Sequence, residues 1–338
     1  MTAPSRRTDA HGTGEVVDGF RIVERTYSHD DRLPSVGLAN IHAVVPEIER
    51  NKEHIERAAQ IFKDRGATFA IFPEFSLSGY FWDDEVECRA YMDKALIEHH
   101  LDWIEHSLVP MFDDRFRGIV LNNLARGRGD KYVNRTFLVR ATTEGLLEPA
   151  PTYDKVFLPG IEKQYTDAGY QDRLVIESPD GFGRFGFTTC YDYLFTELLR
   201  EYAFTDGVDA VIQIACWRAA ASREYPLMNV RTDEYYGDLW DKLIAASSAQ
   251  NQVWTIACNA VGRHEVTGAV YWGGSGVWAP SGLRLVQASN FEEELLLVHH
   301  LDIRGSREFE RADFDYEFDF KQVYRRMDEG ERYTRRFG

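Results

Sequence analysis

Apolar positions come in two rhythms along this chain. Short blocks such as "SVGLANIHAVV" from Ser35, "FAIF" from Phe69, "GIVLNNLA" from Gly118, "RFGFTTC" ending at Cys190 and "DAVIQIACW" ending at Trp217 are apolar at nearly every position. That pattern predicts strands covered on both faces. Between them lie stretches of helical period. In "PEIERNKEHIERAAQIFKDRG", Ile48, Ile55, Ala59 and Phe62 share one face, Pro46 suits the first turn and Gly66 the end. Ile97, Leu101, Ile104 and Leu108 mark a second helix, "LFTELLREYAFTDG" a third closing near Gly207, and "GDLWDKLIAASSAQNQ" a fourth. "YVNRTFLVRA" and "TTEGLLEPAPTYDKVFLPG" predict a hairpin leading into a loop. "VWTIACNAVG", "GGSGVWAPSG", "LRLVQAS" and "LLLVHHLDI" predict the closing strands.

Strand, helix, strand order favours parallel pairing with helices packed outside the sheet. The α/β alternation runs from residue 35 to 304 without a linker rich in Pro, Gly or Ser, which predicts one domain. Residues 1–34 read as a polar leader, and "MTAPSRRTDAHGTGEVVDG" lacks the apolar core of a secretory signal. In residues 305–338 acids alternate with Phe309, Phe314, Tyr316, Phe318 and Phe320, too many rings to leave in water. This tail either folds over its own domain or wraps a neighbouring subunit, so a homo-oligomer, dimer or higher, is expected.

Composition narrows the function classes. A formal charge of −16 over 338 residues argues against a broad footprint for nucleic acid or anionic lipid. No run of about eighteen apolar residues exists to span a membrane, and a cytoplasmic location is expected. Cys88, Cys190, Cys216 and Cys258 are scattered with no CxxC pair, which speaks against metal binding and structural disulfides. Cys216 and Cys258 lie in apolar strands and read as core, Cys88 in "DDEVECRAYMD" as peripheral.

Three strands end at a reactive side chain: "FAIFPE" at Glu74, "PTYDK" at Lys155 and "RFGFTTC" at Cys190. Strand ends in an α/β sheet converge where ligand clefts form. Each residue alone has an ordinary explanation: a cysteine after a strand as a small buried hydrophobe, a loop lysine at the surface, an acid after proline as a cap. Glu74, set among Phe75, Leu77 and Tyr80, needs a partner or a proton if buried.

Order and setting together resemble the nitrilase superfamily of carbon-nitrogen hydrolases, in its amidase and carbamoylase branch. "FPEFSLSGY", "YDKVFLPG" and "TTCYD" resemble the segments of its Glu, Lys, Cys triad. "GIEKQYTDAG" is similar to its segment with a second glutamate, here Glu162, and "AQNQVWTIACNAVG" and "GGSGVWAPSG" to its later segments. The resemblance implies an α-β-β-α sandwich with mixed sheets and outer helices. It also implies Cys190 as nucleophile, Glu74 as general base, Lys155 and the Tyr191 backbone N–H at the oxyanion, and Glu162 beside Lys155. Such a site needs no metal or organic cofactor. Partial desolvation of Glu74 is expected to raise its proton affinity towards the useful range.

"CYDYLFTE" resembles the amidase form CYDxRFPE, with Leu194 and Thr196 in place of Arg and Pro, which favours amides over nitriles. The long segment after Trp217 holds Arg218, Arg223 and Arg231 among aromatic residues and reads as a substrate lid. Arg218, with Tyr80 and Trp217, is the expected substrate-binding set, gripping a carboxylate in bidentate fashion. Alternatively the arginines pair with Glu224, Asp233, Glu234 and Asp238. The expected reaction is hydrolysis of a small linear amide or N-carbamoyl compound through a covalent acyl-enzyme. A nitrilase, an amide-transfer enzyme, a non-catalytic binding module and a Cys-His protease using His42, His299 or His300 are the alternatives.

Overall fold

The structure is a computed structural model and describes residues 14–141, 151–170, 173–178, 180–233 and 235–328. Residues 1–13 of the expected leader, 142–150 of the expected hairpin and 329–338 of the tail lie outside the described residues.

Two sheets pack face to face. The larger runs, edge to edge, Val16–Val17, Phe20–Thr26, Glu294–His299, Val36–Asn40, Phe69–Ile71, Gly118–Arg126, Tyr132–Val139 and Thr152–Asp154. The smaller runs Arg284–Gln287, Gly276–Trp278, Trp254–Asn259, Ala210–Ala215, Arg184–Thr189 and Val175–Glu177. Both are mixed: Val36–Asn40, Phe69–Ile71 and Gly118–Arg126 pair in parallel, as do Arg184–Thr189, Ala210–Ala215 and Trp254–Asn259.

The period of two assigns each strand residue a layer. Ile71, Val120, Leu296 and Val298 face the inter-sheet core with Ile212, Ile214, Ile256 and Val277. Ala70, Phe72, Ile119, Leu121, Leu295 and Leu297 face outward, under the helix Ile48–Asp64 and the segment 97–111. On the other side Val211, Ala215 and Ala257 face the helices Thr196–Arg200 and Tyr235–Asn251. This is the α-β-β-α sandwich with mixed sheets and outer helices. Gly37 lets the first helix come close, because a Cβ there would stand 2.5 Å from the Phe62 ring. Gly66, at φ +78°, closes that helix: its N–H bonds to the Lys63 carbonyl at 2.9 Å and that of Ala67 to Phe62 at 2.9 Å.

Several details differ from the sequence reading. Residues 14–34 are not a leader outside the domain, since Phe20–Thr26 pairs in parallel with Glu294–His299 and buries Phe20 and Ile22 completely. Pro46 lies before the helix, whose N-cap is Glu47. The second helix is a succession of short 3-10, α and π turns between Ile97 and Met111. A further helix, Glu85–Met92, is capped by the Asp84 side chain, which accepts from the Glu87 N–H at 3.0 Å. It carries Cys88 into the core, fully buried rather than peripheral.

The described part of the tail lies on its own domain as helices Ile303–Asp313 and Tyr316–Asp328. Buried Arg307 donates to the Ala203 carbonyl at 3.1 Å and to Asp209 at 3.3 Å. Phe309, Phe314 and Phe318 stay exposed.

Candidate active site

Glu74, Lys155 and Cys190 each follow the last residues of a strand, and the topology carries all three to one edge of the sandwich. After Phe72 and Pro73 the chain turns sharply, with Phe75 at φ 52°. That conformation costs a bulky side chain about 1–3 kcal/mol and is held by the Phe75 N–H donating to Asn122 Oδ1 at 3.0 Å. Cys190 sits at φ 50°, a second turn of the same kind, where the strand Arg184–Thr189 passes into a 3-10 turn.

Asp192 locks the cysteine's turn to the lysine's loop. Its Oδ2 accepts from the Thr189 N–H at 3.0 Å and the Tyr153 hydroxyl at 2.7 Å, and its Oδ1 from the Phe157 N–H at 2.8 Å. Burial pushes its carboxyl up to about 6, against the pull of Lys155.

Below Cys190 is a fully buried charge cluster. Lys155 Nζ donates to Glu74 Oε1 at 2.8 Å and to Glu162 Oε1 at 2.6 Å. Asn134 Nδ2 spans both acids, at 2.7 Å from Glu74 Oε1 and 3.2 Å from Glu162 Oε2. Asn122 in turn donates to Asn134 Oδ1 at 2.8 Å. The second oxygen of Glu74 accepts from the Cys216 N–H at 2.7 Å, and Tyr80 donates its hydroxyl to Glu162 Oε1 at 2.6 Å. The polar cost of burying two acids and a lysine is thus offset by directed donors on both carboxylates.

The electrostatics follow. Burial opposes the charge on Lys155, yet Glu162 and Glu74 hold its ammonium well above the ordinary lysine range. Burial raises Glu162, with Lys155 opposing. Burial pushes the Cys190 thiol well above its usual value, and Glu74 adds to that push by its charge and by a hydrogen bond, while Lys155 opposes. The sulfur therefore keeps its proton, with the Glu74 carboxylate beside it.

Cys190 opens into a cavity of about 330 Å³ whose walls include Tyr80, Asp83, Tyr191, Trp217, Arg218 and Tyr236. Trp217 is fixed by its indole N–H, which donates to the Tyr236 carbonyl at 2.7 Å. Arg218 stands 5.9 Å from the centroid of the Tyr80 ring.

The structure thus brings together Glu74, Lys155, Glu162 and Cys190, and lines their cavity with Tyr191, Tyr80, Trp217 and Arg218. It separates Arg223 and Arg231, which lie in an exposed hairpin of strands Arg223–Tyr225 and Val230–Thr232. Arg223 packs on Tyr235 at 4.6 Å and Arg231 pairs with Asp233 at 2.9 Å, while Glu234 lies outside the described residues. His42, His299 and His300 bond to Glu265, Glu24 and the Ser28 carbonyl, away from the thiol. The sequence reading missed Asn134, Asn122 and Asp83 and gave Asp192 no role; it read Cys216 as core, where the residue is indeed buried, and the Cys216 N–H also donates to Glu74. The readable signal was a polar residue inside an otherwise apolar strand, as in "GIVLNNLA"; Asp83 had no such signal.

Residues 35–311 match the model of the family described as carbon-nitrogen hydrolase. A probable nitrilase of Schizosaccharomyces pombe is 25% identical over 52% of this chain, and the match spans only 57% of that protein. A Staphylococcus lugdunensis protein named as the hydrolase in the agr operon is 25% identical over 72% of this chain and 91% of its own. Among solved structures, a mutant amidase of Nesterenkonia sp. AN1 shares the fold, with a TM-score of 0.67 at 22% identity, covering 88% of this chain and 97% of that one. That amidase carries the acetamide moiety of fluoroacetamide on its active-site cysteine.

Proposed function

Because the chain belongs to the carbon-nitrogen hydrolase family, we propose that it hydrolyses a small, non-peptide linear amide or N-carbamoyl compound through an acyl-enzyme on Cys190. The observation that carries this reading is the buried Glu74, Lys155, Glu162 cluster, closed by bonds of 2.6 and 2.8 Å beneath a cysteine that faces a cavity.

Glu74 takes the thiol proton as the sulfur attacks the carbonyl carbon, which overcomes the resting protonation that burial imposes on Cys190. The oxyanion is held by the Lys155 ammonium and the Tyr191 N–H, each such donor contributing ~3 kcal/mol. Glu74 passes its proton to the departing ammonia or amine, then removes one from the water that cleaves the thioester. Glu162 touches Lys155, Tyr80 and Asn134, which supports a positioning role for it.

Arg218, on the cavity wall beside Tyr80, suits a carboxylate on the substrate. We extend the proposal to a homo-oligomer, dimer or higher, in which a second copy covers the exposed rings of Phe309, Phe314 and Phe318.

The test is ammonia release from a panel of amides, N-carbamoyl compounds and nitriles, with mass spectrometry of the trapped adduct and Cys190→Ala as control. Turnover of amides or N-carbamoyl compounds with an acyl mass on the peptide holding Cys190 is expected. Turnover of nitriles alone, or activity that survives Cys190→Ala, refutes the reading.

A further inference from the structure

The cavity above Cys190 carries two charges of opposite sign on its lining. Arg218 is half-buried on its wall and Asp83 exposed at its rim. Among the described residues neither has an oppositely charged side chain within 4.0 Å. Half-buried on the wall of the cavity that Cys190 opens into, the Arg218 guanidinium is placed to meet an anionic group on a ligand. Of the next two arginines, Arg231 pairs with Asp233, while Arg223 stacks on Tyr235 in the exposed hairpin and lines no cavity with Cys190.

Both charges are held in place. Arg218 packs over the face of Tyr80, whose hydroxyl is tied to Glu162, and its backbone bridges to Tyr271. Asp83 follows Trp82, buried against Tyr91 and His264, and precedes Asp84, which caps a helix. The space is small, about 330 Å³, at the low end for a ligand site. A substrate filling it must place an amide carbon at Cys190, an anion at Arg218 and a cation at Asp83 within a few carbon atoms.

We propose that the substrate is the side-chain amide of a small α-amino acid, its α-carboxylate held by Arg218 and its α-ammonium by Asp83. This inference rests on amide hydrolysis at Cys190. The thiol displaces ammonia from the side-chain amide to give a thioester, and water then releases the side-chain acid and restores the thiol. The product is an acidic amino acid plus ammonia. Asp83 is the new element, since the ammonium separates these substrates from N-carbamoyl acids and from monoamides of simple diacids.

The experiment uses two matched pairs on the full chain: asparagine against succinamate, and glutamine against glutaramate, with propionamide as the uncharged amide. For at least one pair, kcat/KM is expected to be about fivefold or more higher for the amino-bearing member, the scale of an exposed ion pair. In Asp83→Asn that ratio falls towards one, with circular dichroism confirming the fold. In Arg218→Ala both carboxylate amides lose at least about tenfold relative to propionamide. Ratios near one for both pairs in the unaltered enzyme, with turnover of any amide, overturn the inference and leave amide hydrolysis standing. No ammonia from any substrate and no adduct on Cys190 overturn both.

Discussion

Replacing Lys155 by methionine keeps most of the side-chain volume and removes the one cation that, among the described residues, bonds both Glu74 and Glu162. Both carboxylates are fully buried, so neither recovers solvation from water. Taking one partner from a buried ionic cluster costs about 3–5 kcal/mol. Unfolding entropy of about 2.1 cal/mol/K per residue gives roughly 0.7 kcal/mol/K for a chain of this length, so Tm falls by about 4–7 °C. The loss depends on pH with a definite sign. Burial already raises Glu162 and Lys155 opposes that rise, so the variant raises it further. A carboxyl raised in the folded state stabilises it at low pH and loses that contribution as pH rises through the folded value. The Tm gap between Lys155→Met and the unaltered protein is therefore small near pH 5 and full near pH 8. Thermal melts by circular dichroism at five pH values, with ammonia release at each, read both effects. Activity is expected to fall by a factor of about 10²–10³ with the oxyanion's cation gone. A gap constant across that pH range, or a loss of activity under tenfold, would falsify the assignment of Lys155 as the shared cation of the cluster.

Asn134→Ala removes the neutral donor that, beside Lys155, bonds both Glu74 and Glu162, without touching the cavity wall. It should lower kcat roughly tenfold to a hundredfold while KM stays within about threefold, and a change confined to KM contradicts the positioning role. Asp192, pushed up to about 6 by burial, binds a proton in the folded chain between about pH 4 and 6, where the unfolded chain has released it. Its contribution to stability thus declines as pH rises through that window, and urea titrations of Asp192→Asn should show a flatter pH dependence than the unaltered protein; equal slopes count against this. Arg218→Ala should raise KM about tenfold or more for amides bearing a carboxylate and leave uncharged amides within about twofold, and an equal effect on both classes removes Arg218 from recognition. Deleting residues 306–338 should lower the assembled mass seen by light scattering, and an unchanged mass argues against the tail as an interface.

Glu74 and Cys190 stood out in the sequence because each follows a short apolar run, whereas Lys155 follows the mixed run Thr152–Asp154 and was singled out by resemblance to a family segment. The period of two and the period of 3.6 gave the strands and helices, since burial acts on each of them locally, while the stacking of two sheets was implied by the family resemblance. Boundaries depending on a distant partner were not legible. The strand Phe20–Thr26 looks like part of a polar leader until Glu294–His299, more than 260 residues away, supplies its edge. Cys88 looks peripheral within its acidic stretch until the helix cap at Asp84 turns it inward. Asn134 is one polar residue in a strand until folding sets Glu74 and Glu162 on its two sides. Arg218 and Asp83 are ordinary surface charges in the sequence, and only the fold sets them around one cavity with Cys190. The sequence by itself determined the family and the segments that set Glu74, Lys155 and Cys190 just past strand ends, because local burial belongs to single segments. The tertiary structure decided how they are held and what faces them, because a hydrogen bond of 2.7 Å joins atoms whose separation along the chain the pattern does not encode.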